Sequence, residues 1–111
     1  MFTILLFILI VTAILGVYLI SYVVKNKNTP KGIAIIHGGL GWVGIAILAI
    51  YSFYHPLNFI SLGVLVAAAL GGLLLFILDI LGKKLPKIFV LSHGLVALMG
   101  IALLLIFSAR H

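Results

Sequence analysis

Four histidines occur in this chain as two pairs with the same separation. His37 and His93 lie 56 residues apart, and so do His55 and His111. An imidazole offers a nitrogen lone pair when it is neutral and a proton when it is charged. A matched pair is therefore suited to binding a metal ion or exchanging protons, provided that the fold brings the two side chains together.

The 56-residue separation is shared by many other residues. Without gaps it aligns residues 1–55 with residues 57–111, and Pro, Lys and Gly coincide as well as apolar residues. The matched pairs include Gly16 with Gly72, Lys27 with Lys83, Pro30-Lys31 with Pro86-Lys87, His37-Gly38 with His93-Gly94, and Gly44-Ile45-Ala46 with Gly100-Ile101-Ala102. We interpret the two halves as tandem copies within one domain.

Composition indicates that lipid surrounds the elements carrying these residues. With 66% hydrophobic and 7% charged residues, the chain of 111 residues has too little polar surface to cover a soluble protein. Apolar spans long enough to cross a bilayer are predicted at about 2–24, 33–54, 59–81 and 88–108. We therefore expect an all-α membrane protein, a bundle of four transmembrane helices with up-down-up-down topology because its connections are short.

Each predicted repeat contains two spans, which is an even number. The copies should then share one orientation and be related by a pseudo-twofold axis along the membrane normal. Under this arrangement, matched residues lie at the same depth on opposite sides of the axis.

The basic residues predict the orientation in the membrane. Six of the seven Lys and Arg residues lie in the first and third connections, at Lys25, Lys27, Lys31, Lys83, Lys84 and Lys87. Positively charged loops remain in the cytoplasm, so both termini should lie outside, in a bacterial inner membrane. The net charge of +6 is explained in this way, and we do not expect nucleic-acid binding because no aromatic-interleaved basic surface occurs elsewhere.

His37 and His93 lie roughly 8 Å inside their spans at the rise of an α-helix. A polar side chain at this depth needs a partner, so both should face the bundle interior. Small residues flank them on all four helices, at Gly16, Gly41, Gly44, Gly71, Gly72 and Gly100.

One ligand accounts for two imidazoles, surrounding glycines and nearby lysines: a b-type haem between spans two and four. His37 and His93 would be axial ligands of the haem iron, and the glycines would leave room for the flat macrocycle. Lys31 and Lys87 would pair with the propionates. Because two His leave the iron no open position, we expect electron transfer, with a quinone or a redox partner protein, and the chain is compatible with a homo-oligomer.

In layout, the chain resembles the membrane-embedded four-helix b-type cytochromes, which place His on facing helices with glycines against the porphyrin. The resemblance rests on His37, His93 and the glycines named above. It departs from the two-haem members of that group, in which two His usually lie on one helix.

Other interpretations remain open at this point. The histidine pair is also suited to a proton- or metal-coupled transporter, and small residues with a hydrogen-bonded His also occur where membrane helices merely pack. A non-catalytic accessory subunit of a membrane complex is a further alternative. The small multidrug transporters are excluded because they depend on a Glu that this chain lacks, and no nucleotide-binding loop or nucleophile motif indicates an enzyme.

The remaining polar residues have simpler expected roles. His55 and His111 should be solvated at the membrane surface, so we expect no second haem there. Asp79 is the only acid and aligns with Val23; we expect it to pair with Lys83 at i,i+4 spacing. Tyr18 and Tyr22 are expected to anchor the first span at the lysine-rich interface.

Overall fold

The structure, a computed structural model, describes residues 1–109 and consists of four α-helices in this part of the chain. They are α1 (Phe2–Val24), α2 (Lys31–Tyr54), α3 (Asn58–Ile80) and α4 (Lys87–Ser108). Each is long and apolar enough to span a membrane. An all-helical membrane protein with four spans is therefore confirmed, with α2 and α4 beginning slightly earlier than expected.

Proline determines where α2 and α4 begin. Pro30 and Pro86 precede these helices with extended ψ angles of 116° and 122°. Their carbonyls accept the first hydrogen bonds, from Ala34 and Val90, at 3.0 Å each. Proline suits this position because its fixed φ is compatible with a helix start and its missing N–H would have had no helical partner.

A residue in the left-handed backbone conformation follows the end of α1 and of α3. Asn26 has a φ of 57° and Gly82 a φ of 73°, a conformation that Gly and Asn tolerate best. The next residue then donates back over the last turn, from Lys27 to the Tyr22 carbonyl at 2.8 Å and from Lys83 to the Leu78 carbonyl at 3.0 Å. The lysines after each turn therefore leave the helix.

The four helices form a closed arrangement. Each helix contacts the next one in the chain, and α1 also contacts α4, so that α2 and α4 lie diagonally across the bundle. The molecule is 44 Å long, which exceeds a hydrocarbon core of about 30 Å and leaves the connections at the membrane surfaces.

Two apolar clusters fill the bundle at different levels. The cluster near the lysine-rich connections consists of Val23, Leu75 and Val90. The other cluster occupies the opposite half and comprises Leu5, Leu9, Leu48, Tyr51, Leu65 and Leu104. Many other large apolar side chains point outward, including Phe7 and Phe53 at 68% and 74% exposure, as expected for a surface covered by lipid.

Candidate functional site: the histidine pair

His37 and His93 meet in the interior of the bundle. Their ring centroids are 6.3 Å apart, and the ring planes are nearly perpendicular, at 89°. Because α2 and α4 are diagonal helices, each ring must reach toward the centre for this contact to form. The two histidines singled out in the sequence are thus brought together.

Two of the expected glycines lie directly against the imidazoles. A Cβ atom on Gly16 would be 2.9 Å from Cε1 of His37, and one on Gly72 would be 2.8 Å from Cε1 of His93. Real Cβ atoms do not approach other atoms this closely. Each ring therefore packs on the backbone of a neighbouring helix, α1 for His37 and α3 for His93.

Three of the other expected glycines lie near different side chains. A Cβ on Gly44 would lie 2.8 Å from Leu9, and one on Gly100 would lie 2.6 Å from Leu65. A Cβ on Gly41 would be 3.6 Å from the methyl group of Thr12. In this structure Gly44 and Gly100 thus make room for leucine side chains of α1 and α3, as small residues do in membrane helix packing, whereas a Cβ on Gly41 would make only an ordinary van der Waals contact.

His37 has a defined hydrogen-bond partner. Its Nδ1 lies 2.8 Å from the backbone carbonyl oxygen of Thr12. A carbonyl can only accept, so Nδ1 carries the hydrogen and donates it, which leaves the Nε2 lone pair of the neutral ring available. Histidines that ligate a metal commonly have this second bond to a carbonyl.

Nδ1 of His93 lacks the hydrogen bond that Nδ1 of His37 makes. The carbonyl of Ala68, which matches Thr12, interacts with the His93 ring. Within residues 1–109, however, the buried Nδ1 of His93 completes no hydrogen bond of normal geometry. His37 is therefore fixed in one orientation by a hydrogen bond, whereas the His93 ring packs against Gly72 and the His37 ring.

Asp79 lies in an ion pair that the sequence did not predict. Its Oδ1 is 2.8 Å from Nζ of Lys31, and its Oδ2 accepts a hydrogen bond from the Thr29 hydroxyl. Lys31 also donates to Oγ1 of Thr29 at 3.2 Å. The expected pairing with Lys83 was wrong, because α3 ends at Ile80 and the turn at Gly82 removes Lys83 from the helix on which i,i+4 spacing depends.

The two lysines expected to pair with propionates, Lys31 and Lys87, have different surroundings in the structure. Lys31 is engaged by Asp79 and Thr29, whereas Lys87 lines a surface depression with Lys84, Leu85 and Pro86. Sequence reasoning missed Thr29, which is only 9% exposed. One signal was present: Thr29 and Asp79 align with Leu85 and Val23, so both positions differ in polarity between the halves.

The second histidine pair falls partly beyond the structure. The His55 ring lies 4.4 Å from that of Tyr51, whereas His111 lies outside the described residues. Nearby, the side chains of Ser52, Asn58 and Ser61 are fully buried, a polar group that the sequence analysis did not identify.

Within residues 1–109, no group of three or more His, Cys, Asp or Glu side chains is placed to hold a metal ion. Comparison with protein families, curated proteins and solved structures found no match.

Proposed function

We propose that the protein is a membrane-integral b-type haem protein in which His37 and His93 would hold the haem iron, and that it acts in electron transfer. The separation of the imidazoles carries this proposal. Two rings that bind one metal from opposite sides, each with a metal–nitrogen distance of about 2.0 Å, have centroids about 6 Å apart. The observed 6.3 Å supports such a pair.

The number of protein ligands also supports haem over a bare ion. A tetrahedral metal site uses three or four protein ligands, whereas a porphyrin supplies four nitrogens and needs only axial ligands from the protein. The two imidazoles meet that requirement. The Thr12 carbonyl adds support, because its hydrogen bond to Nδ1 leaves Nε2 of the neutral His37 ring unprotonated, as a metal ligand must be.

Residues of the chain would position the ligands and the charged edge of the cofactor. Gly16 and Gly72 hold the imidazoles against α1 and α3. Lys87, at the start of α4, would pair with a propionate, whereas Lys31, at the start of α2, is already engaged by Asp79 and Thr29. When bound, haem supplies reversible one-electron chemistry at the iron. We infer that electrons are exchanged with a quinone or a partner protein.

Tandem repetition and up-down topology form part of the proposal. Their support is that contacts recur at matched positions, since Gly16 meets His37 as Gly72 meets His93. Gly44 likewise meets Leu9 as Gly100 meets Leu65, and Asn26 and Gly82 share a left-handed φ. Gly16, late in α1, contacts His37, early in α2, whereas Leu9, early in α1, contacts Gly44, later in α2. This reversed order is expected for antiparallel helices joined by a short connection. A pseudo-twofold axis would then pass between the imidazoles, with the lysine-rich connections in the cytoplasm of a bacterium.

The visible absorption spectrum of the full-length protein tests the haem proposal. Protein produced with ample haem should show a Soret band and, after reduction, sharp α and β bands. His37→Ala and His93→Ala should each change or abolish these bands. His55→Ala is the matched control, because it removes an imidazole from outside the pair and should leave the spectrum unaltered. Colourless protein, or a spectrum unaffected by His93→Ala, would contradict the proposal.

Ligand rescue gives a sharper form of the same test. His93→Gly removes the imidazole and leaves a space of its size next to Gly72. Free imidazole added to this variant should restore the bands of the unaltered protein if the ring acts as an axial ligand. A ring that served only in packing would produce no spectrum to restore.

Proton- or metal-coupled transport is the second candidate, favoured by Asp79. Its side chain is only 14% exposed at the lysine-rich end of the bundle, where Thr29 and Lys31 contact it. In liposomes, transport would appear as proton or metal-ion flux abolished by both His93→Ala and Asp79→Asn. Flux without haem bands would favour this candidate over electron transfer.

A further inference from the structure

The lysine-rich end of α1 carries a surface depression on the outside of the bundle. It is lined by Tyr18, Ser21, Tyr22, Lys25 and Lys27. The tyrosine rings meet edge to face with centroids 5.2 Å apart, and their hydroxyl oxygens are 2.9 Å apart. Two phenol groups and two ammonium groups thus border one concave surface.

The depression has hydrogen-bond donors to spare. Two tyrosine hydroxyls carry two hydrogens, and their mutual bond uses one, which leaves one for an outside acceptor. The Ser21 hydroxyl is occupied, because it donates to the Tyr18 carbonyl at 2.5 Å. Lys25 and Lys27 supply positive charge, and the lining contains no acid. This arrangement is complementary to an anion with several acceptor oxygens, as a phosphate group has.

The position of the depression indicates which kind of phosphate compound would reach it. α1 ends at Val24, so Tyr18 and Tyr22 lie in the last turns of a membrane span, at the level where Tyr side chains contact lipid headgroups. Tyr18 is 47% exposed and thus points toward the surroundings of the bundle. We propose that this depression binds the phosphate of an anionic phospholipid from the adjacent leaflet.

The second half of the chain provides an internal comparison. At the matched positions it has Leu74, Ile77, Leu78, Leu81 and Lys83, so the hydroxyl groups and one of the two lysines are replaced by apolar residues. The end of α3 therefore lacks the tyrosine hydroxyls and a counterpart of Lys25, and it keeps only the counterpart of Lys27. The expected stoichiometry is one tightly held anionic lipid per chain.

Native mass spectrometry of the detergent-solubilised full chain tests this proposal. Phosphatidylglycerol is titrated against phosphatidylcholine with the same acyl chains, and we expect one phosphatidylglycerol to be retained. Lys25→Gln with Lys27→Gln should weaken its binding at least tenfold, since each lysine near an anionic lipid surface contributes about fivefold. Lys83→Gln with Lys84→Gln removes the same charge from the other connection and should change binding less than about twofold.

A tyrosine variant tests the hydroxyls separately from the charge. Tyr18→Phe with Tyr22→Phe keeps the rings and should weaken phosphatidylglycerol binding severalfold, with helicity checked by circular dichroism. Equal losses in the two lysine variants would show a diffuse positive surface and overturn the proposal. Displacement of the lipid by millimolar inorganic phosphate would also overturn it, because the site would then take the free anion.

Discussion

Asp79 of α3 and Lys31 of α2 form an ion pair between the two halves of the chain, with 2.8 Å between Oδ1 and Nζ. The Thr29 hydroxyl completes this contact by donating to the same carboxylate. At the matched positions, Val23 belongs to an apolar cluster against which Leu85 packs. One junction between the halves is therefore polar and the other apolar.

We expect Asp79→Val to destabilise the protein by about 1–2 kcal/mol, because Thr29 would remain buried without its carboxylate partner. The ion pair itself contributes little to this figure, since the Lys31 side chain is 47% exposed. Combining Asp79→Val with Thr29→Leu copies the apolar junction and should recover at least half of the loss. The free energy of unfolding, measured by steric trapping in bicelles, checks both values. A double variant less stable than the single one would show that the polar junction cannot be replaced by a copy of the apolar one.

Adding a methyl group at Gly16 or Gly72 should displace a histidine ring. The new Cβ would lie 2.9 or 2.8 Å from Cε1 of His37 or His93, and overpacking of this kind costs about 1–3 kcal/mol. Gly38→Ala is the matched control, because nothing lies within 4 Å of a Cβ there and alanine favours the helix. We expect Gly16→Ala and Gly72→Ala to lower stability by similar amounts and Gly38→Ala to leave it unchanged or raise it. If Gly38→Ala were as harmful as Gly16→Ala, the loss would not come from the imidazole contact.

The imidazole of His37 should be a single tautomer in ligand-free protein. The Thr12 carbonyl accepts from Nδ1 at 2.8 Å, so Nδ1 is protonated and Nε2 is not. Solid-state NMR of protein labelled with ¹⁵N at histidine can distinguish the two nitrogens, with His37→Asn used to assign the signals. A neutral ring with hydrogen on Nε2 would contradict this hydrogen bond.

The absence of cysteine makes the membrane orientation easy to measure. Asn28→Cys and Lys84→Cys place single thiols in the first and third connections, and Leu57→Cys places one in the second, at a position 47% exposed. In intact cells, a membrane-impermeant maleimide should label the thiol at position 57 and spare those at positions 28 and 84 until the membrane is permeabilised. Labelling of position 28 without position 84 would contradict the up-down topology.

Hydropathy was sufficient to predict the four helices, because each span must satisfy its own backbone hydrogen bonds in lipid. The starts of α2 and α4, directly after Pro30 and Pro86, were predicted two residues and one residue too late. The meeting of His37 and His93 followed from their equal depth and the cost of exposing a polar side chain to hydrocarbon. The partner of Asp79 could not be predicted in this way. It depends on the turn at Gly82, which carries Lys83 off the helix, and on the contact between α3 and the first connection.

The roles of the glycines were likewise only partly predictable. Sequence spacing places Gly16, Gly44 and Gly100 on inward faces, but it does not show which side chain fills each gap. That depends on helix rotation and on side-chain conformations, which bring Leu9 and Leu65 onto Gly44 and Gly100 and leave the imidazoles to Gly16 and Gly72.

Because one junction between the halves contains Asp79 and the other contains Val23, the two sides of the histidine pair are not chemically equivalent. A site shared by two identical separate subunits presents the same groups from each side, so neither half can differ from the other. Within one chain, an acid at position 79 need not be accompanied by an acid at position 23, where this chain has Val. The carboxylate of Asp79 therefore gives the bundle a lateral polarity, and His37 and His93 are chemically distinguishable.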